Sequence, residues 1–396
     1  MTRFLSMGPT PLANAFLRSP DEFAGEARYP LDVTFCETCS LVQILDVIDP
    51  EVLFRDYIYV TGTSDTMAAH NTAYANALVD SLRLTANDLV VEAGSNDGSL
   101  LACFRGHGVR TLGVEPAANI AALARERGIE TLSRFFDAHT AQQARASHGP
   151  ARAVLANNVL AHVDDPAGFL RGCRSLLAAG GLVVIEVPYL GELLARLEYD
   201  TIYHEHLSYF SIAALLRVFE AAGLAVVRID RVPVHGGSLR VYGAAGEERV
   251  THADDVRAAA AAEQAAGLLN FPHYRRFAGE VASHRRRLCA LLEKLKAQGK
   301  TIAGYGAPAK GNTLLNYCGI GTDLVPYIVD KNPLKVGRFT PGMHLPVLSV
   351  STLAERQPDY VLILAWNFAE EIVAQQQAYR ERGGRFIVPL PEPRVV

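Results

Sequence analysis

The strongest constraint on this chain is a pattern that occurs twice. A short apolar run ends in a glycine-containing turn and passes directly into a helix-like stretch, and each time further strand and helix patterns follow. The first series opens at residues 89–93 and continues at 111–115, 153–157, 181–186, 225–230 and 238–242. Helix-like stretches lie between its members, for example at 119–127 and 166–177. The second series opens at 301–307 and continues at 324–330, 360–365 and 385–389, with a helical pattern over 369–382. Apolar strands separated by helices predict parallel sheets covered on both faces, so the chain reads as α/β with two doubly wound domains. No residue-level repeat relates the two.

A length of 396 residues suits two or three domains. The predicted division is 1–62, a small irregular lobe rich in proline; 63–250, the first α/β domain; 251–298, a helical linker; and 299–396, the second α/β domain. Within the linker, Arg285, Arg286 and Arg287 point around a helix rather than forming one patch, which reads as a solvated helix. With 38 basic against 42 acidic residues there is no polyanion-binding signature, and nucleic acid is set aside as a partner. No uncharged apolar run is long enough to span a bilayer, and the start has no signal-peptide core. Of six cysteines, Cys103, Cys173, Cys289 and Cys318 are scattered. These features point to a cytoplasmic protein with no membrane partner; oligomeric state stays open.

The first glycine turn carries Glu92, Gly94, Asn96, Asp97 and Gly98. Its glycines allow positive φ and close ligand approach, but their spacing is not that of a dinucleotide fingerprint. Acid at the strand end (Glu92) and in the loop (Asp97) repels a pyrophosphate and suits a cationic or hydroxyl-bearing ligand. Glu115, ending the next strand, can accept both hydroxyls of a ribose. The set favours a nucleoside without phosphates, such as S-adenosylmethionine, over an ordinary strand–helix turn. Phe135 and Phe136 either flank an adenine or belong to the core. Asn157 and Asn158, at the end of a later strand, are placed to take the methionine end.

The segment 200–210 sets Tyr203, His204, Glu205 and His206 side by side. Three readings apply: acid–base chemistry near neutrality, with a carboxylate fixing the histidine tautomer; a metal site, for which no third ligand stands nearby; or a surface turn. His162 follows the strand bearing the Asn pair and lies either near the cofactor or in a structural role. His235 and Gly237 sit in another glycine-enabled turn, which either contacts substrate or merely joins strands. In the second domain, Tyr305, Lys310 and Asn312 lie in a strand–turn–helix whose amides and lysine form an anion seat, with Lys331, Lys335 and Arg338 adding positive charge. A nucleotide diphosphate is the expected anion; a structural turn is the alternative.

These residues, together with Pro11 to Leu17, Tyr29 to Val33, Cys36 to Gln43, Tyr57 to Tyr59 and Ala365 to Asn367, resemble the S-adenosylmethionine-dependent C-methyltransferases that act on nucleotide-linked 4-keto-deoxysugars at carbon 3. The resemblance covers essentially the whole chain. It implies a small zinc lobe, a class I methyltransferase domain and a C-terminal Rossmann-like domain that helps to hold the nucleotide-sugar, a dTDP-sugar by expectation. It implies His206 as general base with Glu205 as its partner, and Tyr59, Tyr203 and His162 lining the sugar pocket with Tyr57 close by. It leaves zinc open. Cys36 and Cys39 are the candidate ligands, whereas structural zinc takes four, and the family's upstream pair is not in this sequence. The remaining alternatives are an O- or N-methyltransferase on a similar sugar, a non-catalytic nucleotide-sugar-binding protein, and a sugar oxidoreductase, against which the missing dinucleotide fingerprint counts.

Overall fold

A computed structural model describes residues 1–54, 65–234, 236–245 and 252–396. Three sheets organise them. The first is antiparallel, in the order β1 (Thr2–Thr10), β2 (Tyr29–Phe35), β3 (Val42–Ile44) and β9 (Ser208–Tyr209). Residues that read as an irregular lobe thus form strands, and β9, from within the first α/β unit between β8 and β10, completes their sheet. The second sheet has the order β10 (Leu224–Val232), β11 (Ser238–Ala245), β8 (Leu177–Pro188), β7 (Ala151–Asn157), β4 (Leu89–Ala93), β5 (Arg110–Val114) and β6 (Thr131–Leu132). From β8 to β6 its pairs are parallel; β11 runs antiparallel to β8 and β10 antiparallel to β11. The third has the order β14 (Val347–Ser349), β13 (Ile328–Asp330), β12 (Ile302–Tyr305), β15 (Tyr360–Ile363), β16 (Arg385–Val388) and β17 (Arg394–Val395), parallel except at its last pair.

The central strands are apolar because both faces are covered: all five residues of β4 are buried, including Glu92. Helix α1 (Pro50–Phe54) and helix α2 (Asp65–Leu82) precede β4, and α3 (Ser99–Gly106) follows it after the glycine turn. The carboxyl ends of β4, β5, β7 and β8 therefore open toward one side, where ligands of open α/β sheets bind.

The stretch read as a solvated linker is two helices, Asp254–Ala265 and Phe271–Ala297. The longer is not solvated all round. Tyr274, Phe277, Val281, His284, Leu288, Leu292 and Leu295 recur at three- and four-residue spacing and are buried. All but His284 share one apolar cluster with Leu31, Val33 and Phe35 of the N-terminal sheet and with Ile302, Ile328 and Leu362 of the C-terminal sheet. No helix among the described residues is long and apolar enough to cross a membrane.

Candidate active site

A cavity of about 590 Å³ lies where the strand ends of the seven-stranded sheet face the C-terminal domain. That is the size of a small-molecule site. Its walls come from all three parts of the chain: Asn14 and Phe54 near the start, the glycine turn and the segment around His206 in the middle, and Lys310, Lys335 and Phe368 from the C-terminal domain.

On the sheet side, Glu92 ends β4 and its Oε1 accepts from Asn157 Nδ2 at 3.1 Å. Its Oε2 is buried without a hydrogen-bond partner, as are Ser95 Oγ, Asn157 Oδ1 and Asn158 Oδ1. Burial pushes the Glu92 carboxyl up to about 8, against the Asn157 hydrogen bond, and the charges of Asp97, Glu115 and Glu186 add to the rise. Gly94 has φ +65°, and a Cβ there would meet Val159 Cγ2 at 2.4 Å, so only glycine lets the turn close over the cavity. Glu115 accepts from the amides of Asn96 and Ala117, each at 2.9 Å, and lines the cavity. Phe135 and Phe136 both line it, and Phe136 also packs on Phe169 with ring centroids 5.2 Å apart.

Asp97 and Gly98 do not join them. Asp97 is fully buried, ion-paired with Arg127 at 2.9 Å and bonded by the Ser99 hydroxyl at 2.7 Å. Gly98 packs against Ile129 and Ala124 instead of the cavity. These two residues shape the turn rather than face a ligand.

At the histidine segment, His206 and Tyr203 line the cavity, and the Tyr203 hydroxyl lies 3.0 Å from His206 Nε2. His206 Nδ1 lies 2.7 Å from the Thr201 carbonyl oxygen. A carbonyl only accepts, so Nδ1 carries the proton and Nε2 keeps its lone pair. Thr201 thus does the tautomer-fixing expected of Glu205. The Glu205 carboxylate accepts from Asn14 Nδ2 at 2.7 Å and is not a cavity wall. His204 turns the other way, its Nε2 3.0 Å from Pro30 O, so the two histidines do not converge as a metal pair. His162 lines the cavity with its ring centroid 4.9 Å from that of His206. Burial lowers the His162 pKa to about 4, and its Nδ1 is buried without a partner. It is a neutral imidazole at physiological pH.

On the C-terminal side, Lys310 lines the cavity from the first turn of the helix Ala309–Cys318. Its ammonium lies 4.6 Å from the Trp366 ring centroid and makes no hydrogen bond. Burial lowers its pKa; the carboxylates of Asp200 and Glu198 oppose this. Trp366 Nε1 donates to Asp200 at 2.6 Å. Lys335, buried and donating to the Ala307 carbonyl at 2.8 Å, is a second cavity cation.

The other expected substrate contacts fall elsewhere. Tyr305 is in the core of the C-terminal sheet: all four residues of β12 are buried, and Tyr305 packs in one cluster with Ala303. Asn312 is buried and donates to Ala13 O at 2.7 Å, tying the N-terminal segment to the helix. Lys331 reaches Gln375 on the surface. Arg338 does not line the cavity, and Gly237 lines a different one, beside Glu192 and Arg231. Tyr57, Tyr59 and His235 lie outside the described residues.

One cluster went unread in the sequence. His70 of α2, Glu186 at the end of β8 and Arg240 of β11 meet at the cavity wall, which His70 and Glu186 line, with His70 Nε2 3.0 Å from Glu186 Oε1 and Arg240 Nη2 donating to Glu186 Oε2 at 2.9 Å. Burial alone would raise Glu186, but the His70 hydrogen bond and the His70 and Arg240 charges outweigh it and hold the carboxyl low. Strand register pairs Glu186 with both Asn157 and Arg240, and the packing of α2 brings His70 to them.

Comparison with known proteins places this geometry. Three family models match: "Putative zinc binding domain" over 1–54, "Methyltransferase domain" over 67–229 and "C-methyltransferase C-terminal domain" over 233–391. The chain is 42% identical over 394 residues to the C-methyltransferase NovU of Streptomyces niveus, covering 99% of this chain and 93% of that protein. The chain belongs to the S-adenosylmethionine-dependent C-methyltransferase family. Among solved structures, magnesium protoporphyrin IX methyltransferase from Synechocystis PCC 6803 is 14% identical, with TM-score 0.37, covering 50% of this chain and 98% of that one. A methyltransferase from Clostridium acetobutylicum is 10% identical, also with TM-score 0.37, covering 46% and 92%.

The residues at the first glycine turn fit the cofactor of this family: the orphaned acceptors Glu92 Oε2, Asn157 Oδ1 and Asn158 Oδ1 call for donors such as an ammonium and hydroxyls. The residues present do not fit zinc. Among the described residues no three His, Cys, Asp or Glu side chains come together, and Cys36 and Cys39 supply two thiols of the four that a structural site takes.

Proposed function

We propose that this C-methyltransferase transfers its methyl group to carbon 3 of a dTDP-linked 4-keto-deoxyhexose. The observation that carries the reading is the cavity itself. One space is walled by the acceptors of the first glycine turn, by the His206–Tyr203 pair and by the buried cations Lys310 and Lys335. It therefore has a place for a sulfonium nucleoside, a proton acceptor and a place for an anion.

In this reading Lys310 and Lys335, with the amides at the start of the helix Ala309–Cys318, hold the diphosphate, a seat whose charge and dipole favour anions. The sugar then reaches His206. A 4-keto group acidifies the hydrogen on the neighbouring carbon. His206 Nε2 accepts that proton, with the Tyr203 hydroxyl sharing its lone pair in the resting state and Thr201 O holding the Nδ1 proton as imidazolium forms. The enolate oxygen needs fixed donors, and the neutral His162 imidazole and the Tyr203 hydroxyl are at hand, with Tyr59 assigned by resemblance. S-adenosylmethionine supplies the electrophilic methyl group that the carbanion takes up. The glycine turn and Lys310 fix the two reactants from opposite walls, which turns an encounter into a held approach.

The test is a panel of dTDP- and GDP-linked 4-keto-sugars with isotopically labelled methyl donor, read by mass spectrometry. A mass gain of one labelled methyl with a dTDP-4-keto-deoxyhexose is expected. Labelling of GDP-sugars alone, or none with any nucleotide-sugar, overturns the substrate assignment.

A further inference from the structure

We propose that His70, held by Glu186 and Arg240, receives the carboxylate of the cofactor's amino-acid end while Glu92 receives its ammonium. The proposal rests on the reading of the first glycine turn as the S-adenosylmethionine site.

The zwitterionic end of that cofactor needs one wall that is negative and one that is positive. Glu92 and the Asn157 amide, with orphaned oxygens, supply the first. The positive wall can be found by elimination among the described residues that line the cavity. Its lysines, Lys310 and Lys335, stand on the C-terminal domain, away from the strand ends, and no arginine lines it. His206 is engaged by Thr201 and Tyr203, and burial keeps His162 neutral. His70 remains, and it lines the cavity from α2 together with Met67, Asn71 and Tyr74, at the three- and four-residue spacing of one helix face.

The surroundings of His70 suit the task. Arg240 cannot serve a ligand directly, since its guanidinium is spent on Glu186 and lies 3.5 Å from the Tyr74 ring centroid. It cancels the Glu186 charge and fixes that carboxylate. Both Glu186 oxygens face His70 Nε2, at 3.0 and 3.2 Å, and Arg240 Nη2 lies 3.2 Å from the same nitrogen, so Nε2 is taken up within the cluster and the ring is oriented. The atom left for a ligand is Nδ1. A ligand carboxylate there accepts from an Nδ1–H. His70 is thus a cofactor-binding residue, and Glu186 and Arg240 are positioning residues that act through it.

The test is calorimetric titration of the full-length protein with S-adenosylhomocysteine and with its decarboxylated analogue, for the wild type, His70→Phe and His70→Asn. In the wild type the decarboxylated analogue should bind at least about tenfold more weakly, as expected for one charge-assisted hydrogen bond. His70→Phe should weaken S-adenosylhomocysteine by a similar factor and leave the analogue's affinity unchanged. His70→Asn should show the same narrowing of the ratio and serves if the phenylalanine variant does not fold. Equal binding of the two ligands by the wild type overturns the proposal while leaving the cofactor site standing, as does equal weakening of both ligands in the variants, the mark of a purely structural His70. Failure of the wild type to bind S-adenosylhomocysteine at all overturns the cofactor site itself, and the proposal with it.

Discussion

At the scale of single residues, the account turns on two groups whose protonation is set by their surroundings. His206 has its Nδ1 committed to the Thr201 carbonyl and its Nε2 facing the Tyr203 hydroxyl in the cavity. Replacing it by asparagine should leave S-adenosylmethionine affinity unchanged and slow turnover by about 10²- to 10⁴-fold, measured by steady-state kinetics beside a binding titration. The second group is Glu92. Its folded-state pKa of about 8 is above that of the unfolded chain, so the folded state holds the proton more tightly between the two values. Its contribution to stability is therefore present at low pH and is lost as pH rises through about 8. The ligand-free protein should lose melting temperature from pH 5 to pH 8 more steeply than Glu92→Gln. Over the same window cofactor affinity should rise with pH in the wild type, by up to about tenfold per unit, and stay flat in the variant.

At the scale of elements, the turn between β4 and α3 is where local sequence and chemistry coincide. Gly94→Ala would force a Cβ into Val159 at positive φ. It should destabilise the protein by about 1–3 kcal/mol and weaken cofactor binding, seen together in thermal melts with and without S-adenosylhomocysteine. This part of the site was legible because its residues are neighbours in the chain: Glu92 and Gly94 share one turn, Asn157 and Asn158 end one strand, and Tyr203 and His206 share one segment. Less legible was direction. Asp97 sits in the same turn as Glu92 yet points inward to Arg127, and Glu205 sits beside His206 yet turns to Asn14. Glycine-turn logic likewise overreached at Tyr305 and Asn312, where the neighbouring strand and the N-terminal segment, both distant in sequence, decide what the side chains meet. The His70–Glu186–Arg240 cluster was not legible at all, since three elements supply one residue each and only sheet register and the packing of α2 join them.

At the scale of the whole molecule, the apolar stripe of the helix Phe271–Ala297 is the joint. Its three- and four-residue spacing was present in the sequence, but the run of charged residues around Arg285 to Arg287 masked it. The N-terminal strands and the C-terminal sheet meet the stripe in one core, while the inner strands of the seven-stranded sheet have clusters of their own. Leu292→Ala, near the C-terminal end of the stripe, should cost about 2–5 kcal/mol. Hydrogen exchange should then quicken in β1–β3 and in β12–β16 together, with β4 and β7 less affected; quickening confined to one of the two would show that they do not share a core. The same joint holds Lys310 and His206 across one cavity, and so underlies the chemistry proposed for it. That chemistry has one direct measurement. The product formed from a dTDP-4-keto-deoxyhexose and S-adenosylmethionine carrying a ¹³C methyl group is analysed by NMR for the atom that bears the label. The account predicts a carbon–carbon bond at carbon 3, next to the carbonyl; a label on oxygen or nitrogen would contradict the enolate route, and a label at carbon 5, the other neighbour of the carbonyl, would contradict the assigned position.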